Sequence, residues 1–429
     1  MVALGDFVSM NVLMVAFFVA LFSSALDQYP SAIDPEPVDT QYALHTVAQQ
    51  TRYDQSSSSG GGAFSIFASS SPLFKDAQVL FPNAAFAAQD MAISADGRAF
   101  VGLADGRVAS FTNDDLVLRD FARTGATLDL CNSLQKNLTT STATLKLQSS
   151  CGRPVGLAFA HSKFLRKYVE RIPDAKLFAG EQVLVVADAF RGVYLFDARG
   201  KKTLLFNSVG KEKLKFVNGL AVTARGDVFV TDSSRTFQRN ELELTFLERS
   251  ATGQLVHFNP VTSVVEVLAS ELAFPNGLAL VNSDSALLIA LTAQQKIVKY
   301  TFSTKKIVDF AFTPGEPSGL VVNSIGGEED ALFVGLFAPT NTVEDFVMRS
   351  VKVRKLLSLL PEWVTLQYLG LRSVFAIVDL KTGNVMQVFE EKFGKAAWIS
   401  GVHKFGDYYY LTSYHRNALV RVPAAALKQ

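Results

Sequence analysis

The sequence predicts an all-β fold, a six-bladed β-propeller, from three observations. A short phrase containing Asn-Gly-Leu-Ala occurs in nearly identical form at residues 216–222 and 274–280, and four looser copies begin at Gln89, Pro154, Pro317 and Ile399. Each copy is followed by a polar turn and a second apolar run rich in β-branched or aromatic residues, which is typical of strands. A third run often follows. Meanders of three or four strands that repeat around an axis form a propeller.

Aligning the six copies gives one equivalent position in each repeat, and a propeller would point these positions toward its axis. The six ring residues are Asp90, Val155, Asn218, Asn276, Ser318 and Ser400. Their side chains differ from repeat to repeat, whereas the surrounding phrase does not. We therefore expect the chemistry of the protein at this ring.

Composition describes a large folded protein without a nucleic-acid partner. The chain has 429 residues, of which 48% are hydrophobic, enough to bury a substantial core. Lysine and arginine number 41 against 40 aspartate and glutamate residues, so net charge does not favour binding to nucleic acid. No nucleic-acid-binding motif occurs either.

The N-terminus predicts entry into the secretory pathway. An apolar block at 7–26 is followed by small residues, as in a signal peptide, although an uncleaved signal anchor has the same pattern. We assign 1–26 to this segment and 27–75, rich in proline, serine and glycine, to a flexible linker. The propeller then occupies 76–429. It would be secreted, or anchored on the lumenal or extracellular side of a membrane.

Two cysteines, Cys131 and Cys151, lie just before the second repeat. A secretory route favours a disulfide between them, and two free buried thiols are the alternative. The loop between them contains a glycosylation sequon at Asn137. This loop is therefore expected to be exposed.

The largest insertion, at about 343–362, interrupts the β pattern. Residues 343–360 have the spacing of an amphipathic helix, with apolar side chains at Phe346, Val353, Leu357 and Leu360 and basic ones at Arg349, Lys352, Arg354 and Lys355. One interpretation is a helix packed across the propeller face as a lid. The other is a basic interfacial helix that touches anionic lipid.

At several motifs the chain resembles the strictosidine synthase-like family, especially the branch of adipocyte plasma membrane-associated protein and hemomucin. The motifs are Ala-Asp-Gly-Arg-Val at 104–108, Cys-Gly-Arg-Pro at 151–154, Val-Ala-Asp-Ala-Phe at 186–190, Thr-Asp-Ser-Ser at 231–234 and the two Asn-Gly phrases. The resemblance covers roughly residues 78–425. It implies a fold similar to that of paraoxonases and gluconolactonases, which bind calcium in a central tunnel and hydrolyse esters or lactones.

The resemblance also implies a calcium site that has lost ligands. Asp90, Asn218 and Asn276 stand where the calcium-dependent relatives have ligands, but Ser318 and Gly319 replace an Asp-Asn pair. Calcium prefers six to eight oxygen ligands, so this loss weakens the site. Glu316 could compensate if its loop turned it inward. Alternatively, both asparagines bond to their own turns.

Two familiar catalytic groups are missing from the ring. Val155 stands where paraoxonases have a catalytic histidine, and Ser400 falls at or beside the glutamate of strictosidine synthase, so strictosidine synthesis is not expected. His403 and His415 remain as candidate proton carriers. The leading expectation is metal-assisted hydrolysis of esters or lactones. The alternative is a non-catalytic propeller that binds a partner or a membrane through 7–26 and the 343–360 helix.

Overall fold

A computed structural model describes residues 33–35, 72–126, 129–133, 142–325, 329–339, 349–359, 373–391, 394–396 and 398–428. Over these residues the chain forms six four-stranded antiparallel sheets and one two-stranded hairpin. Each sheet is one blade, and the predicted six-bladed β-propeller is confirmed.

The first three blades follow the predicted meanders. Blade 1 contains β2 (Met91–Ile93), β3 (Ala99–Gly102), β4 (Arg107–Phe111) and β5 (Arg119–Arg123), and blade 2 contains β6 (Pro154–His161), β7 (Gln182–Asp188), β8 (Gly192–Phe196) and β9 (Lys202–Phe206). A small hairpin, β10 (Ser208–Val209) and β11 (Glu212–Lys213), precedes blade 3. Blade 3 contains β12 (Val217–Val222), β13 (Val228–Asp232), β14 (Gly253–Phe258) and β15 (Val265–Leu272).

The last three blades repeat this plan. Blade 4 contains β16 (Pro275–Val281), β17 (Ala286–Leu291), β18 (Lys296–Thr301) and β19 (Lys306–Phe312), and blade 5 contains β20 (Gly315–Ile325), β21 (Glu329–Pro339), β22 (Ser373–Asp379) and β23 (Val385–Glu391). Blade 6 combines β24 (Ile399–Phe405), β25 (Tyr408–Ser413) and β26 (Leu419–Pro423) with β1 (Gln78–Leu80). The second strand of each blade is the most buried, because neighbouring blades pack on both of its faces; every residue of β17 is buried.

The two ends of the propeller chain meet in blade 6. β1 pairs antiparallel with β26, with Gln78 opposite Arg421 and Leu80 opposite Leu419. Arg421 Nε also donates to Gln78 Oε1 at 2.8 Å. The first strand of the propeller therefore closes the ring of blades.

Five short α-helices lie outside the blades in the part of the chain that the structure describes: α1 (Asp129–Ser133), α2 (Thr142–Cys151), α3 (Ser162–Val169), α4 (Leu242–Glu248) and α5 (Val351–Leu357). Cys131 and Cys151 form a disulfide that joins α1 to α2, and both are fully buried. Asn137 lies outside the described residues. No helix within the described ranges is long and apolar enough to cross a membrane.

Helix α5 falls inside the predicted helical insertion and packs against α4. Val353 and Leu357 are buried there, as an apolar face requires, whereas Phe346 and Leu360 lie outside the described residues. Arg354, predicted to lie away from the apolar side, is instead fully buried, and its Nη1 donates to the carbonyls of Leu247 and Glu248 at 3.1 Å. These carbonyls end α4 and have no partner within that helix, so the guanidinium replaces the missing donors.

The two helices contribute to an apolar cluster on one face of the propeller, which we call the cap cluster. Its largest members are Ile33, Phe216, Phe237, Phe246, Phe274, Phe337, Val353 and Leu357. Ile33 is 3% exposed, and Leu73 and Phe74 are buried in another cluster. These two pieces of the segment predicted to be a flexible linker are thus packed on the propeller, because their apolar side chains find contacts there.

Candidate functional site

The first strand of a blade, which lies nearest the axis, is called here its inner strand. In blades 2 to 6 the inner strands, β6, β12, β16, β20 and β24, are irregular where the ring residue occurs. The register of pairing with the second strand shifts at Pro154/Gly156, Val217/Leu220, Pro275/Leu278, Pro317/Leu320 and Ile399/Gly401. Each shift spans the ring residue of its blade. Such irregularities redirect a side chain and are frequent beside functional sites.

Glycine follows the ring residue for a steric reason. A Cβ atom on Gly219, Gly277 or Gly319 would lie 2.1–2.4 Å from the carbonyl oxygen of the ring residue in the next blade. No side chain can be accommodated at that distance, because the inner strands crowd together near the axis. The repeated phrase is therefore a requirement of the fold, and the residue before its glycine is free to vary.

All six ring residues line one central cavity of about 250 Å³. Gln89 and His403 line it too, together with later residues of the inner strands such as Leu280 and Val322. The cavity extends from the ring toward the ends of these strands. The cap cluster lies on the other side of the ring, since Phe216 and Phe274 precede the inner strands.

Asp90 and His403 face each other in this cavity. Asp90 Oδ2 accepts a hydrogen bond from Leu157 N at 2.7 Å, and Oδ1 accepts one from Met91 N at 2.9 Å. His403 Nε2 lies 3.4 Å from Asp90 Oδ1, beyond hydrogen-bonding geometry, and has no hydrogen-bond partner among the described residues. A carboxyl and an imidazole are thus close enough to share a proton through a small adjustment or a water.

Burial moves the two pKa values in opposite directions. It raises the pKa of Asp90 to about 7, although the two backbone N–H groups oppose the change. It lowers the pKa of His403 to about 4. The Asp90 side chain is 26% exposed, but it borders the cavity, where solvation is poorer than at the outer surface. Near neutral pH the carboxyl is the group that titrates.

The two ring asparagines bond to hydroxyl groups that follow the second strand of their own blade. Asn218 Nδ2 donates to Ser233 Oγ at 3.1 Å, and Asn276 Nδ2 donates to Thr292 Oγ1 at 3.2 Å. The hydroxyls of Ser233 and Thr292 donate in turn to carbonyls of the next blade. The asparagines therefore help to join blades, as well as line the cavity.

The residues present do not fit a calcium ion well. Asp90 is the one carboxylate of the ring, both of its oxygens accept backbone N–H groups, and Asn218 Oδ1 accepts from Gln89 Nε2 at 3.1 Å. Only Asn276 offers an amide oxygen without a donor among the described residues. Calcium prefers six to eight oxygen ligands, and no group of three His, Cys, Asp or Glu side chains in the described ranges is arranged for a metal.

Two candidate residues lie away from the cavity. The carboxylate of Glu316 is fully buried in an ion pair with Arg249, so it is already neutralised. His415 lines a separate cavity of about 360 Å³ and packs edge-on against Trp398. Burial, assisted by Arg153, lowers the pKa of His415 to about 4. Of the two predicted proton carriers, only His403 lies in the central cavity.

Gln89 is a site residue that the sequence analysis did not single out. Its Oε1 accepts from Arg153 Nη2 at 3.1 Å, while its Nε2 donates to Asn218, and its carbonyl accepts from Ser400 Oγ at 2.6 Å. It thereby connects three blades at the axis. The sequence feature that could have identified it is its position directly before Asp90 in the first copy of the repeated phrase.

Comparison with known proteins confirms the expected resemblance. A family model described as strictosidine synthase matches residues 218–305, which cover blade 3 and most of blade 4. The chain is 26% identical over 332 residues to protein STRICTOSIDINE SYNTHASE-LIKE 13 of Arabidopsis thaliana, covering 75% of this chain and 77% of that protein. It is 27% identical over 365 residues to adipocyte plasma membrane-associated protein of Salmo salar, covering 82% and 79%.

A solved structure agrees with the architecture. A gluconolactonase from Xanthomonas campestris superposes with a TM-score of 0.51 at 15% sequence identity, covering 81% of this chain and 90% of that one. At this level of identity the likeness shows the fold. The chemistry has to be argued from the cavity itself.

Proposed function

We propose that this protein hydrolyses small esters or lactones in the central cavity and that Asp90 and His403 transfer the proton. The observation that carries the proposal is the pair itself, a carboxyl whose pKa lies at about 7 and an imidazole 3.4 Å from it, both lining the cavity. A group that titrates near the working pH is well suited to general acid/base catalysis. The likeness to strictosidine synthase-like proteins and to the fold of a gluconolactonase supports it further.

The proposed reaction begins when Asp90 is ionised. Its carboxylate accepts a proton from a water molecule while the water oxygen bonds to the ester or lactone carbonyl carbon and the π electron pair of the C=O bond moves to the carbonyl oxygen. The C=O bond forms again when the leaving oxygen departs. When the bond from that carbon to the leaving oxygen breaks, the proton returns from the Asp90–His403 pair to the leaving oxygen. In this proposal the side-chain amide of Asn276, which lines the same cavity, donates to the carbonyl oxygen.

A metal-assisted version of the reaction is the less well supported form. In that form, Asp90, Asn218 and Asn276 would hold a calcium ion, which would polarise the carbonyl of the substrate. The donor set falls short of what calcium requires, and Glu316 is committed to Arg249. We therefore assign the proton transfer to protein side chains alone.

The test is a panel of phenyl esters and lactones, measured with and without a chelator. We expect Asp90→Asn to lower kcat/KM by at least about 100-fold, and His403→Gln by about 10- to 100-fold. Ser318→Ala, which changes another cavity residue without a titratable group, should change it by less than about 10-fold. The activity of the unaltered protein should rise with pH through about 7, as Asp90 ionises.

Each contrary outcome has a distinct meaning. Activity that is lost with a chelator and restored by calcium would support the metal-assisted reaction instead. Activity that survives Asp90→Asn unchanged would remove Asp90 from the mechanism. If the panel shows no hydrolysis at all, the non-catalytic propeller becomes the better description.

We also propose that the protein enters the secretory pathway and associates with membranes through residues 7–26. The name of the plasma membrane-associated relative, the Cys131–Cys151 disulfide and the apolar N-terminal block support this. The burial of Arg354 and Val353 makes α5 a poorer candidate for lipid contact. Mass analysis of the membrane and secreted fractions tests the proposal, because membrane-bound protein should retain 1–26 and secreted protein should lack it.

A further inference from the structure

Arg239 is a buried cation without a hydrogen-bonded partner among the described residues. Its side chain belongs to a residue that is 5% exposed, and its Nε is closed off from solvent with no hydrogen-bond partner in the described part of the chain. Its guanidinium carbon lies 5.9 Å from the centre of the Phe216 ring, and Tyr414 and Asp188 are near enough to act on its pKa. Buried guanidinium groups normally have acceptors, because an unpaired buried charge is costly.

The other buried arginines show what Arg239 lacks. Arg249 pairs with Glu316, Arg354 donates to two helix carbonyls, and Arg107 contacts Asp105 at 2.6 Å and Asp120. Among the described buried arginines, Arg239 is therefore the exception.

A second buried arginine lies close to Arg239. Arg153 is fully buried on the same side of the ring, where it donates to Ala87 O at 2.8 Å, Gln89 Oε1 at 3.1 Å and Tyr414 O at 3.3 Å. These acceptors are neutral. Burial lowers the pKa of Arg153, and the neighbouring positive charge of Arg239 lowers it further. The two positive charges therefore repel each other at a place where solvent screens them poorly.

The nearby carboxylates do not balance both charges. Asp188 attracts both arginines, and it is buried with Oδ2 accepting from the backbone N of Arg153 at 2.7 Å. Asp105 attracts Arg153 but is itself neutralised by Arg107. Burial lowers the pKa of Arg239 to about 10, so it stays protonated at neutral pH. One positive charge is left over.

We propose that Arg239 and Arg153 form a binding site for a small oxyanion, a carboxylate or a phosphate, between the cap cluster and the ring. An oxyanion supplies the acceptors that Arg239 lacks and the negative charge that Asp188 does not provide. The planar guanidinium matches carboxylate and phosphate geometry with two parallel hydrogen bonds. The site is distinct from the central cavity, from which Gln89 separates it, and it does not depend on the proposed hydrolase activity.

The test is a thermal melt of the whole protein in sodium phosphate and in sodium acetate, each compared with sodium chloride of equal ionic strength. We expect a saturable rise in Tm of about 3 °C at a hundredfold excess over Kd. A rise with acetate alone identifies a carboxylate ligand, and one with phosphate alone identifies a phosphate ligand. No rise beyond that in sodium chloride with either anion overturns the proposal.

Variants locate the effect. Arg239→Met should abolish the rise while leaving the Tm without anion unchanged or higher, because an unpaired buried charge has been removed. Arg239→Lys keeps the positive charge but lacks the planar guanidinium group that forms two parallel hydrogen bonds, so it should reduce the rise in Tm. Arg225→Gln, at an exposed arginine in the turn of blade 3, should leave it intact. A rise that persists in Arg239→Met contradicts the proposal.

Crystallography gives an answer that does not depend on whether the variants fold. In crystals of the unaltered protein grown with phosphate or acetate, density for the anion should appear within hydrogen-bonding distance of Arg239. A map that shows no anion there, with Arg239 well ordered, would overturn the assignment.

Discussion

At the scale of single residues, Asp90 and His403 have pKa values shifted in opposite directions by burial, so that Asp90 carries a proton and His403 is neutral between about pH 4 and 7. The pKa of Asp90 rises from 3.8 to about 7, so between those values the native state binds a proton that the unfolded state lacks, and stability falls as pH rises. The pKa of His403 falls from 6.5 to about 4, so between those values the unfolded state binds a proton that the native state lacks, and stability increases as pH rises. The two slopes nearly cancel between about pH 4 and 6.5.

Removing one partner should reveal the slope of the other. Relative to the unaltered protein, His403→Gln should lose about 1.4 kcal/mol of unfolding free energy per unit of rising pH between about 4 and 6.5. Asp90→Asn should gain about the same amount over that window. Urea unfolding at several pH values measures both slopes. Profiles parallel to that of the unaltered protein would show that the two pKa values are not shifted.

The glycine that follows each ring residue makes a second prediction at this scale. Gly277→Ala places a Cβ 2.4 Å from Ser318 O, so one of the two inner strands must move. We expect a loss of about 2–4 kcal/mol in the free energy of unfolding. Gly210→Ala is the control: its φ is 56°, but nothing lies within 4 Å of the added atom, so it should cost about 1 kcal/mol. Equal costs in denaturant unfolding would argue against the crowding.

At the scale of elements, a buried arginine and apolar contacts join helices α4 and α5. Arg354 on α5 supplies the donors for the two carbonyls that end α4, while Val353 and Leu357 pack beside it. Neither helix is long enough to be stable alone. Their position therefore depends on contacts between them and with the cap cluster.

Arg354→Leu should detach α5 from α4. It leaves the carbonyls of Leu247 and Glu248 buried without their donor, which should cost about 2–4 kcal/mol. Lys355→Ala removes an exposed contact to Asp34 at 3.4 Å and should cost less than about 0.5 kcal/mol. Thermal unfolding gives both values, and amide hydrogen exchange should increase in α4 and α5 only in Arg354→Leu. Unchanged exchange in that variant would show that the cap cluster alone holds the helices.

At the scale of the whole molecule, closure of the ring joins the two ends of the propeller. β1 supplies the outer strand of blade 6, and Lys395 Nζ donates to the carbonyls of Lys75 and Ala77 just before it. Without this strand, β26 would become an unpaired edge and the ring of blades would be open.

Truncations should separate the roles of the segments before the propeller. A chain beginning at residue 72 keeps β1 and the buried Leu73 and Phe74, and we expect it to fold with a Tm within a few degrees of the full chain, about 2–5 °C. A chain beginning at residue 81 loses β1 and exposes the edge of β26, so it should melt at least about 10 °C lower or aggregate. Equal Tm values for the two truncations would show that β1 is not needed for closure.

The sequence by itself determined the repeat, the number of blades and the residues of the ring. It could do so because a glycine directly follows the ring residue in five of the six blades, so the repeat is visible in consecutive residues. At Gly219, Gly277 and Gly319 the cause is the crowding of neighbouring inner strands near the axis. Which ring residue meets which other side chain was not readable from spacing. Asp90 and His403 are more than 300 residues apart in sequence and come together only when blade 6 closes beside blade 1.

Only the tertiary structure decided which candidate side chains reach the cavity and which are used elsewhere. Glu316 is neutralised by Arg249, Arg354 ends a neighbouring helix and His415 packs against Trp398, all through contacts between distant segments. Charge and residue type are properties of the sequence. Burial and partners are properties of the fold, and they set the pKa of Asp90 and leave Arg239 with a charge that the described residues do not balance.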